Sequence, residues 1–536
     1  MATTHFGLQL VLLRLNNGNR RQTVSGAKLA KADRRAEEPL NNEETDGHQA
    51  ALEEEDASVH VPKHIAVDTS QNEQVVRLER NSLGLFDIAS ATMANIAPAM
   101  SFYFSFGVIA ATSGLASPLT IVAAAIAIAI LGNTLTEFSR STPSAGSFVT
   151  FIGKTFGPIA AIATAVVISA GYILAIAAVV VISGGWFDAI LIKYAHFSAP
   201  WELYSSIFTA GAVYMMYRGA KISTKVAATF FALEMVILVV VSVFVIAKHP
   251  GSITFEIFNP AKLTRGFAGL SLGFPLAIFL FVGWENSAAM AEETTDPRHN
   301  VPKAVFGSIA IMAATFVFLA FATVVGFGNN IDSVSNSSVP FLDAAHAVAS
   351  PLLFLAYIAG MTSIIGSLIS GANSQARIIF SSGREGLLPQ WACKVSDQHK
   401  TPWASFVIFL GLALAIAFIF GGRTDPIVFF GEVATLGTIL IALVYLVANL
   451  ALPFYYRKFH PDRFELIRHG ILPVLGAIAI GYPLYELIKP GQPAPFDYFP
   501  YIALGVVALA IIYAVVLNSR HPGLASRVGS IVADAN

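Results

Sequence analysis

Apolar runs of about 20 residues recur through most of this chain, and each is long enough to cross a lipid bilayer as a helix. Only 12% of the 536 residues are charged, whereas soluble domains carry about 25%. We therefore predict an all-α membrane protein that crosses the bilayer many times. The twelve predicted transmembrane helices lie at residues 86–112, 117–138, 157–184, 201–217, 222–247, 267–288, 303–327, 348–379, 403–421, 426–454, 470–488 and 498–518.

Basic residues are distributed unevenly among the loops between these helices. If the N-terminus lies in the cytoplasm, the cytoplasmic loops and the C-terminal tail hold seventeen Lys and Arg residues, against six on the opposite side. Loops rich in Lys and Arg stay in the cytoplasm. The pattern predicts an integral, multi-pass protein of the plasma (cell inner) membrane with both termini cytoplasmic.

The first 80 residues differ from the rest because they are polar and carry mixed charge, with an acidic block at residues 53–55. They cannot bury enough apolar surface to fold alone, so we expect a disordered cytoplasmic tail. A regulatory or docking role for this tail stays open. Beyond it we expect a first five-helix repeat at 81–250, a second at 265–456, two extra transmembrane helices at 468–518 and a cytoplasmic tail at 519–536.

Two of the predicted helices are interrupted. In the first, Pro98 removes a backbone donor and clashes with the preceding turn, which frees carbonyl groups there. In the sixth, Gly283 loosens the helix, and Glu285 places a carboxylate at membrane depth, where it is costly. The candidate substrate-binding residues surround these two breaks: Asn95, Ile96, Ala97, Pro98, Ala99 and Met100 in the first helix, and Phe281, Val282, Gly283, Trp284 and Glu285 in the sixth.

Helices one and six hold corresponding positions in two halves of five helices each. Paired interruptions of this kind are typical of inverted-repeat transporters, whose substrate site lies near the middle of the membrane. A weaker echo supports two halves. Phe148 precedes Pro158 by ten residues before helix three, and Phe341 precedes Pro351 by ten residues before helix eight.

Four segments of the chain resemble motifs of the amino acid–polyamine–organocation (APC) superfamily. They are SRSTPSAGSFVTFIGKTFGP after helix two, YRGAKISTKV before helix five, FVGWENSAAMAEETTDPRHNVPKAV in and after helix six, and ANSQARIIFSSGREGLLPQW with KTPWAS after helix eight. In this order they cover roughly residues 84–455. The chain is therefore similar to an amino acid permease of this superfamily.

The resemblance implies a LeuT-like five-plus-five inverted repeat followed by two C-terminal helices. It also implies uptake or exchange of amino acids or amines by alternating access, with the substrate at the broken helices one and six. A substrate carboxylate favours the N-terminal ends of half-helices, where N–H groups are free. An ammonium group favours exposed carbonyls or a carboxylate.

The chain departs from this family at two positions. Many members have Gly or Ser in the first break, whereas Ala97 and Pro98 leave less room there for a close approach of substrate to backbone. Some proton-coupled members have a Lys in helix five, where this chain has Glu234. We therefore do not expect a lysine-based coupling mechanism.

The intramembrane carboxylates are the candidate coupling and gating residues. Glu285 either links the broken helix to its neighbours as a gate or coupling group, or caps freed backbone donors for structural reasons. Glu234 either carries a proton or cation within helix five, or faces water and pairs with a basic loop. Proton coupling and sodium coupling both stay open, and Trp284 either walls the substrate pocket or packs against a neighbour.

Two further groups of polar residues have structural explanations. One face of helix eight carries Ser363, Ser367, Ser370 and Ser374, which we expect to serve close helix packing. We expect Glu292 and Glu293 to pair with Arg298, Lys303 or Arg384 in an exposed cytoplasmic loop, where ion pairs contribute little.

Several classes of function are disfavoured. The net charge of −1 gives no reason to expect a nucleic-acid partner, and no Cys/His cluster has metal-site spacing. No GxxxxGK[ST] nucleotide loop and no intramembrane nucleophile–base pair occur, so we expect neither an ATP-driven pump nor an enzyme, and no cofactor. The leading hypothesis is a secondary transporter of an amino acid. An amine or polyamine carrier, an amino acid exchanger and a non-transporting membrane sensor are the alternatives.

Overall fold

The computed structural model describes residues 78–264, 266–531 and 533, so the expected disordered tail at 1–80 lies almost wholly outside the described residues. Within them the backbone is helical, with two isolated bridges and no strand. The α-helices are α1 (Leu85–Ile96), α2 (Pro98–Ser113), α3 (Ser117–Ser141), α4 (Phe148–Phe156), α5 (Pro158–Ala195), α6 (Trp201–Tyr217), α7 (Ala220–Lys248), α8 (Phe267–Phe279), α9 (Asn286–Ala289), α10 (Pro297–Gly326), α11 (Ile331–Asn336), α12 (Pro340–Val348), α13 (Ser350–Arg384), α14 (Trp403–Phe420), α15 (Pro426–Phe459), α16 (Leu472–Ile488), α17 (Phe499–Arg520) and α18 (Leu524–Arg527).

Ten helical segments of the described chain are long and apolar enough to span a bilayer. They are α1 and α2 taken together, α3, α5, α7, α10, α13, α14, α15, α16 and α17. The protein is therefore an integral, multi-pass membrane protein. The two other predicted spans coincide with α6, which has 17 residues, and with α8, which ends at Phe279.

Short helices precede the two longest ones. The nine-residue α4 leads into α5 through Gly157, and the nine-residue α12 leads into α13 through Ala349. The Phe-to-Pro echo in the sequence therefore marks the same local arrangement twice.

Glycine allows the largest helix–helix contact, in which α5 crosses α15. A Cβ atom placed on Gly437 would lie 2.6 Å from the carbonyl oxygen of Gly171, and one on Gly171 would lie 3.0 Å from the Gly437 carbonyl oxygen. Such close approach is how membrane helices gain packing energy without a hydrophobic driving force. The α5–α15 contact also fixes one wall of the site described next.

Candidate functional site

The first break separates α1 from α2 at a single residue. Ala97 has a left-handed backbone (φ 54°), and Pro98 begins α2. Proline suits the first position of a helix because its missing N–H would have no partner there. The Ser101 hydroxyl turns back to donate a hydrogen bond to the Ile96 carbonyl oxygen (2.6 Å), which satisfies one of the groups that the break exposes.

The second break replaces a longer stretch of helix with turns. After α8 ends at Phe279, the backbone passes through turns, in which Gly283 has φ 103°, before Asn286 begins α9. A side chain at Gly283 would be strained by this backbone and would also clash, because a Cβ atom there would lie 2.7 Å from Asn95 Nδ2. The two breaks therefore touch at Asn95 and Gly283.

Asn95 is enclosed by a second glycine as well. A Cβ atom on Gly371 of α13 would overlap the Asn95 Oδ1 atom. One side chain thus fills the space where α1, α13 and the second break meet.

The serine face of α13 binds the two breaks directly. We expected these small residues to serve close packing, and the structure adds a hydrogen bond from each hydroxyl to a broken segment. Ser363 Oγ accepts from the Met100 N–H (3.1 Å), while Ser367 donates to the Asn95 carbonyl (3.2 Å), Ser370 to the Ala91 carbonyl (2.6 Å) and Ser374 to the Asn286 carbonyl (3.2 Å).

Glu234 of α7 also lies at the first break. Its side chain is 1% exposed, and its Oε1 atom accepts the Ala99 N–H at 2.6 Å. The carboxylate therefore faces the positive end of the α2 dipole. Glu234 is thus buried, in contrast to the alternative in which it faces water and pairs with a basic loop.

Glu285 lies just after the second break and is 3% exposed. The Tyr172 hydroxyl donates a hydrogen bond to Glu285 Oε1, and Glu285 Oε2 has no partner among the described residues. Gln375 and Tyr445 flank the Tyr172 hydroxyl. Trp284 packs edge-on against the Tyr445 ring with 5.6 Å between ring centroids.

A cavity of about 70 Å³ lies between the two breaks and α5, α13, α14 and α15. Five of the predicted site residues line it: Asn95, Ile96, Met100, Val282 and Gly283. The others lie near it without lining it: Ala97, Pro98, Ala99, Phe281, Trp284, Glu234 and Glu285.

The sequence interpretation missed the rest of the cavity wall. Tyr172 and Gln375 supply polar groups, and Phe409 and Phe430 supply rings. The sequence held one usable signal, because Tyr172 is an isolated polar side chain in a long apolar helix, as Glu234 is, whereas Gln375 stands among other polar residues of α13.

Two buried ion pairs, which we call the ion-pair lock, join the segment after α9 to the C-terminal end of α13. Arg384 binds Glu292 through two hydrogen bonds (2.6 and 2.9 Å), and Arg377 binds Glu293. We expected exposed loop pairs, but Arg377 is 0% and Glu293 2% exposed. The lock is buried because α13 continues to Arg384, five residues beyond its predicted end at 379, and its last turns pack inside the bundle.

A larger cavity, of about 370 Å³, lies beyond the small cavity, on the side of the bundle away from the ion-pair lock. About one helical turn separates them, since Val179 lines the small cavity and Ile182 the large one. Three rings, which we call the aromatic layer, stand at this level: Phe104 contacts both Trp186 (5.6 Å between centroids) and Phe430 (5.2 Å).

The model of the amino acid permease family matches residues 83–527. The chain belongs to the amino acid permease family. This confirms the resemblance to the APC superfamily.

Similar curated proteins share low identity over long stretches. A branched-chain amino acid permease of Bacillus subtilis is 25% identical over 452 residues, which is 80% of this chain and 92% of the relative. A methylthioribose transporter of the same species is 23% identical over 422 residues, which is 75% of this chain and 87% of the relative. Cationic amino acid transporter 1 of Arabidopsis thaliana is 25% identical over 238 residues, which is 44% of this chain and 38% of the relative.

The family and these relatives are permeases and transporters. This confirms the prediction of a membrane transport protein rather than an enzyme, and it supports an amino acid as the substrate.

Proposed function

We propose that this permease is a secondary active transporter that moves a neutral amino acid by alternating access. The observation that carries the proposal is the contact of the two helix breaks at Asn95 and Gly283, on the wall of a cavity inside the bundle. A substrate held there would touch both broken helices, so its binding energy would differ between their arrangements.

The lining of the cavity favours an amino acid with an apolar side chain. Most lining residues are apolar, among them Ile176, Val179 and Phe430, and no carboxylate lines the cavity itself. Polar groups of Ser101, Tyr172 and other residues supply the few directional contacts that a small-molecule site needs. The branched-chain amino acid permease among the relatives agrees with this choice.

The N-terminal end of α2 is an unsuitable place for the substrate carboxylate. The Ala99 and Met100 amides already donate to Glu234 and Ser363. Glu234 is instead proposed as the coupling group, because a change in its charge alters the link between α7 and the first break. A proton is the proposed coupling ion, and sodium is the alternative.

Alternating access requires a closed barrier on each side of the site. We assign the ion-pair lock to the cytoplasmic side and the aromatic layer to the external side, in line with the distribution of basic residues. The same orientation puts both termini in the cytoplasm and the protein in the plasma membrane. Twelve spans follow if α6 and the segment from α8 to α9 also cross, as two five-helix repeats and two extra helices.

One observation favours a carrier of cationic amino acids or amines. Glu285 is buried, and its Oε2 atom has no hydrogen-bond partner within 3.5 Å in the described part of the chain, although the Tyr445 hydroxyl and the Gly283 backbone lie nearby, so it could accept an ammonium group. The cationic amino acid transporters among the relatives agree with this second candidate.

Uptake by the purified, full-length protein in liposomes tests the proposal. Radiolabelled leucine, lysine and spermidine are offered with an inward proton gradient, an inward sodium gradient or neither. We expect leucine uptake that the proton gradient accelerates. Uptake of leucine only into preloaded liposomes would indicate exchange, and uptake of lysine or spermidine alone would favour the second candidate.

Glu285→Gln serves as the matched variant with reduced activity. It keeps the size of the side chain but removes the charge beside the cavity, so we expect at least roughly tenfold slower uptake, equivalent to about 1.4 kcal/mol. The control is Glu432→Gln, at a partly exposed position of α15. Absence of flux for every compound, from protein with a normal thermal unfolding transition, would overturn the proposed function.

A further inference from the structure

A recess of about 670 Å³ opens beside the α4–α5 corner and the C-terminal end of α15, on the same side of the bundle as the ion-pair lock. Residues of four segments line it: the end of α3, the corner around Gly157, α15 with the residue that follows it, and the C-terminal segment. Ala525 and Val528 of the C-terminal segment close one wall.

The lining of the recess is cationic and contains no carboxylate. Lys154, Lys458 and His460 line it, and no Asp or Glu does. Neither lysine has a carboxylate partner within 4.0 Å in the described part of the chain. The positive end of the α5 helix dipole adds to this charge.

Burial is the main influence on the pKa of two of these groups, and neighbouring cations add to it. Burial lowers the pKa of Lys154, an effect that Glu385 opposes and Arg298 strengthens. Burial also lowers the pKa of His460, and both Arg463 and Lys154 add to that shift. An anion in the recess would relieve this repulsion.

Hydroxyl groups at the back of the recess supply hydrogen-bond donors. The Tyr455 hydroxyl lies 2.8 Å from both Ser141 Oγ and Thr142 Oγ1, and Ser141 Oγ lies 3.0 Å from His460 Nε2. Hydroxyl rotors can turn toward an oxyanion, which accepts several hydrogen bonds at once. Two ammonium groups, an imidazole and three hydroxyls match the oxygens of a phosphate group.

The mouth of the recess is apolar and faces out of the bundle. Phe156 is 47% and Phe459 46% exposed, and the Phe156 ring contacts Phe454 with 6.0 Å between centroids. An apolar groove of about 410 Å³ begins nearby at Ile152 and Ala160 and runs between α5, α15, α16 and α17. Acyl chains fit such a surface, whereas a soluble anion gains nothing from it.

We propose that this recess binds the phosphate group of an anionic phospholipid, with the acyl chains along the aromatic mouth and the adjoining groove. The site depends on the membrane location of the chain and not on the proposed transport activity. Because Ala525 and Val528 form one wall, the lipid would also hold the C-terminal segment against α4.

Thermal unfolding of the full-length protein in neutral detergent tests this site. The added probes are short-chain phosphatidylglycerol, phosphatidylcholine with the same chains, and inorganic phosphate. We expect phosphatidylglycerol to raise the unfolding midpoint more than the other two. The double variant Lys154→Gln, Lys458→Gln should need roughly tenfold more phosphatidylglycerol, or more, for the same shift.

The matched control is Lys221→Gln, Lys225→Gln, which removes the same charge from exposed positions at the start of α7. It should respond like the unsubstituted protein. If the recess variant does not fold, Lys458→Gln replaces it, because that side chain is exposed. An equal response of recess variant and control would overturn the site. If inorganic phosphate raises the unfolding midpoint as much as phosphatidylglycerol does, and the recess variant loses this shift, the recess binds phosphate and the lipid is overturned as its source.

Discussion

At the scale of single residues, Glu234 is the side chain whose charge is tied most directly to a helix break. Its carboxylate accepts the Ala99 N–H at the positive end of α2. Glu234→Gln keeps an acceptor oxygen of the same reach but cannot exchange a proton. We expect uptake by this variant to lose its dependence on an imposed proton gradient while exchange without a gradient continues.

Uptake measured with and without the gradient checks this expectation. Glu432→Gln should keep the full response, because Glu432 is partly exposed and does not line the cavity between the breaks. A normal gradient response by Glu234→Gln would exclude Glu234 as the coupling group.

Gly371 is the second residue with a specific expected effect, because even one added carbon atom there would overlap a neighbouring side chain. Gly371→Ala would drive a methyl group into Asn95 Oδ1, and overpacking of this kind costs about 1–3 kcal/mol. We expect a lower thermal unfolding midpoint and slower uptake. Gly411→Ala on α14 is the matched control, because a methyl group there meets no atom within 4 Å. Equal stability of the two variants would contradict the proposed fit around Asn95.

At the scale of structural elements, the ion-pair lock joins the segment after α9 to the end of α13. Removal of one partner from a buried pair leaves a buried charge and costs about 3–5 kcal/mol, whereas removal of both partners is milder. We therefore expect Arg384→Gln to lower the unfolding midpoint more than the double variant Glu292→Gln, Arg384→Gln does. The midpoints of both single variants and the double variant, as a double-mutant cycle, check this. Additive losses would contradict direct coupling between Glu292 and Arg384.

The C-terminal segment is held to the end of α13 by a group that titrates near neutral pH. Glu385 accepts the Gly529 N–H (3.1 Å), and burial raises the pKa of its carboxyl group from 4.5 to about 7. The folded protein therefore holds this proton more tightly than the unfolded chain does. Its contribution to stability is full below a pH of about 4.5 and is lost as the pH rises through about 7.

Glu385→Gln removes this titration and keeps an acceptor for Gly529. We expect the unsubstituted protein to lose stability as the pH rises from about 5 to about 8, and the variant to lose less. Thermal unfolding across this range measures the difference, with Glu79→Gln, at an exposed carboxyl, as the control. Identical pH profiles for Glu385→Gln and the unsubstituted protein would rule out this role of Glu385.

The sequence predicted the helices well and the cavity only in part. Long apolar runs have one stable form in lipid, so the long helices overlap the predicted segments, although α5 and α13 run past their predicted ends and the short helices α4, α11 and α12 were not predicted. Pro98 and Gly283 also marked both breaks, because each has a local backbone consequence. Tyr172 and Phe430 could not be placed, since their meeting depends on which faces of α5 and α15 turn inward. That choice follows from packing contacts such as Gly171 against Gly437, which no local pattern encodes.

At the scale of the whole molecule, the single cysteine offers a direct test of orientation. Cys393 lies between α13 and α14 and is partly exposed, and burial raises the pKa of its thiol, so labelling calls for mildly alkaline buffer. We expect an impermeant maleimide to leave Cys393 unmodified in intact cells and to label it in inverted membrane vesicles. With Cys393→Ser as background, Ser338→Cys beside the larger cavity should show the reverse. Labelling of both positions from one side would contradict the proposed orientation.

The contact of Asn95 with Gly283 and Gly371 has a mechanical consequence. Asn95 in the first broken helix contacts both the second break and α13. We therefore expect that neither broken helix can tilt without moving the other through the Asn95 side-chain amide. Under the proposed alternating access, we expect a rotation that widens the passage on one face of the membrane to narrow it on the other face. Such coupling would keep solutes from leaking through the protein without a separate barrier, since a state open on both faces of the membrane would require the contacts of Asn95 with Gly283 and Gly371 to break.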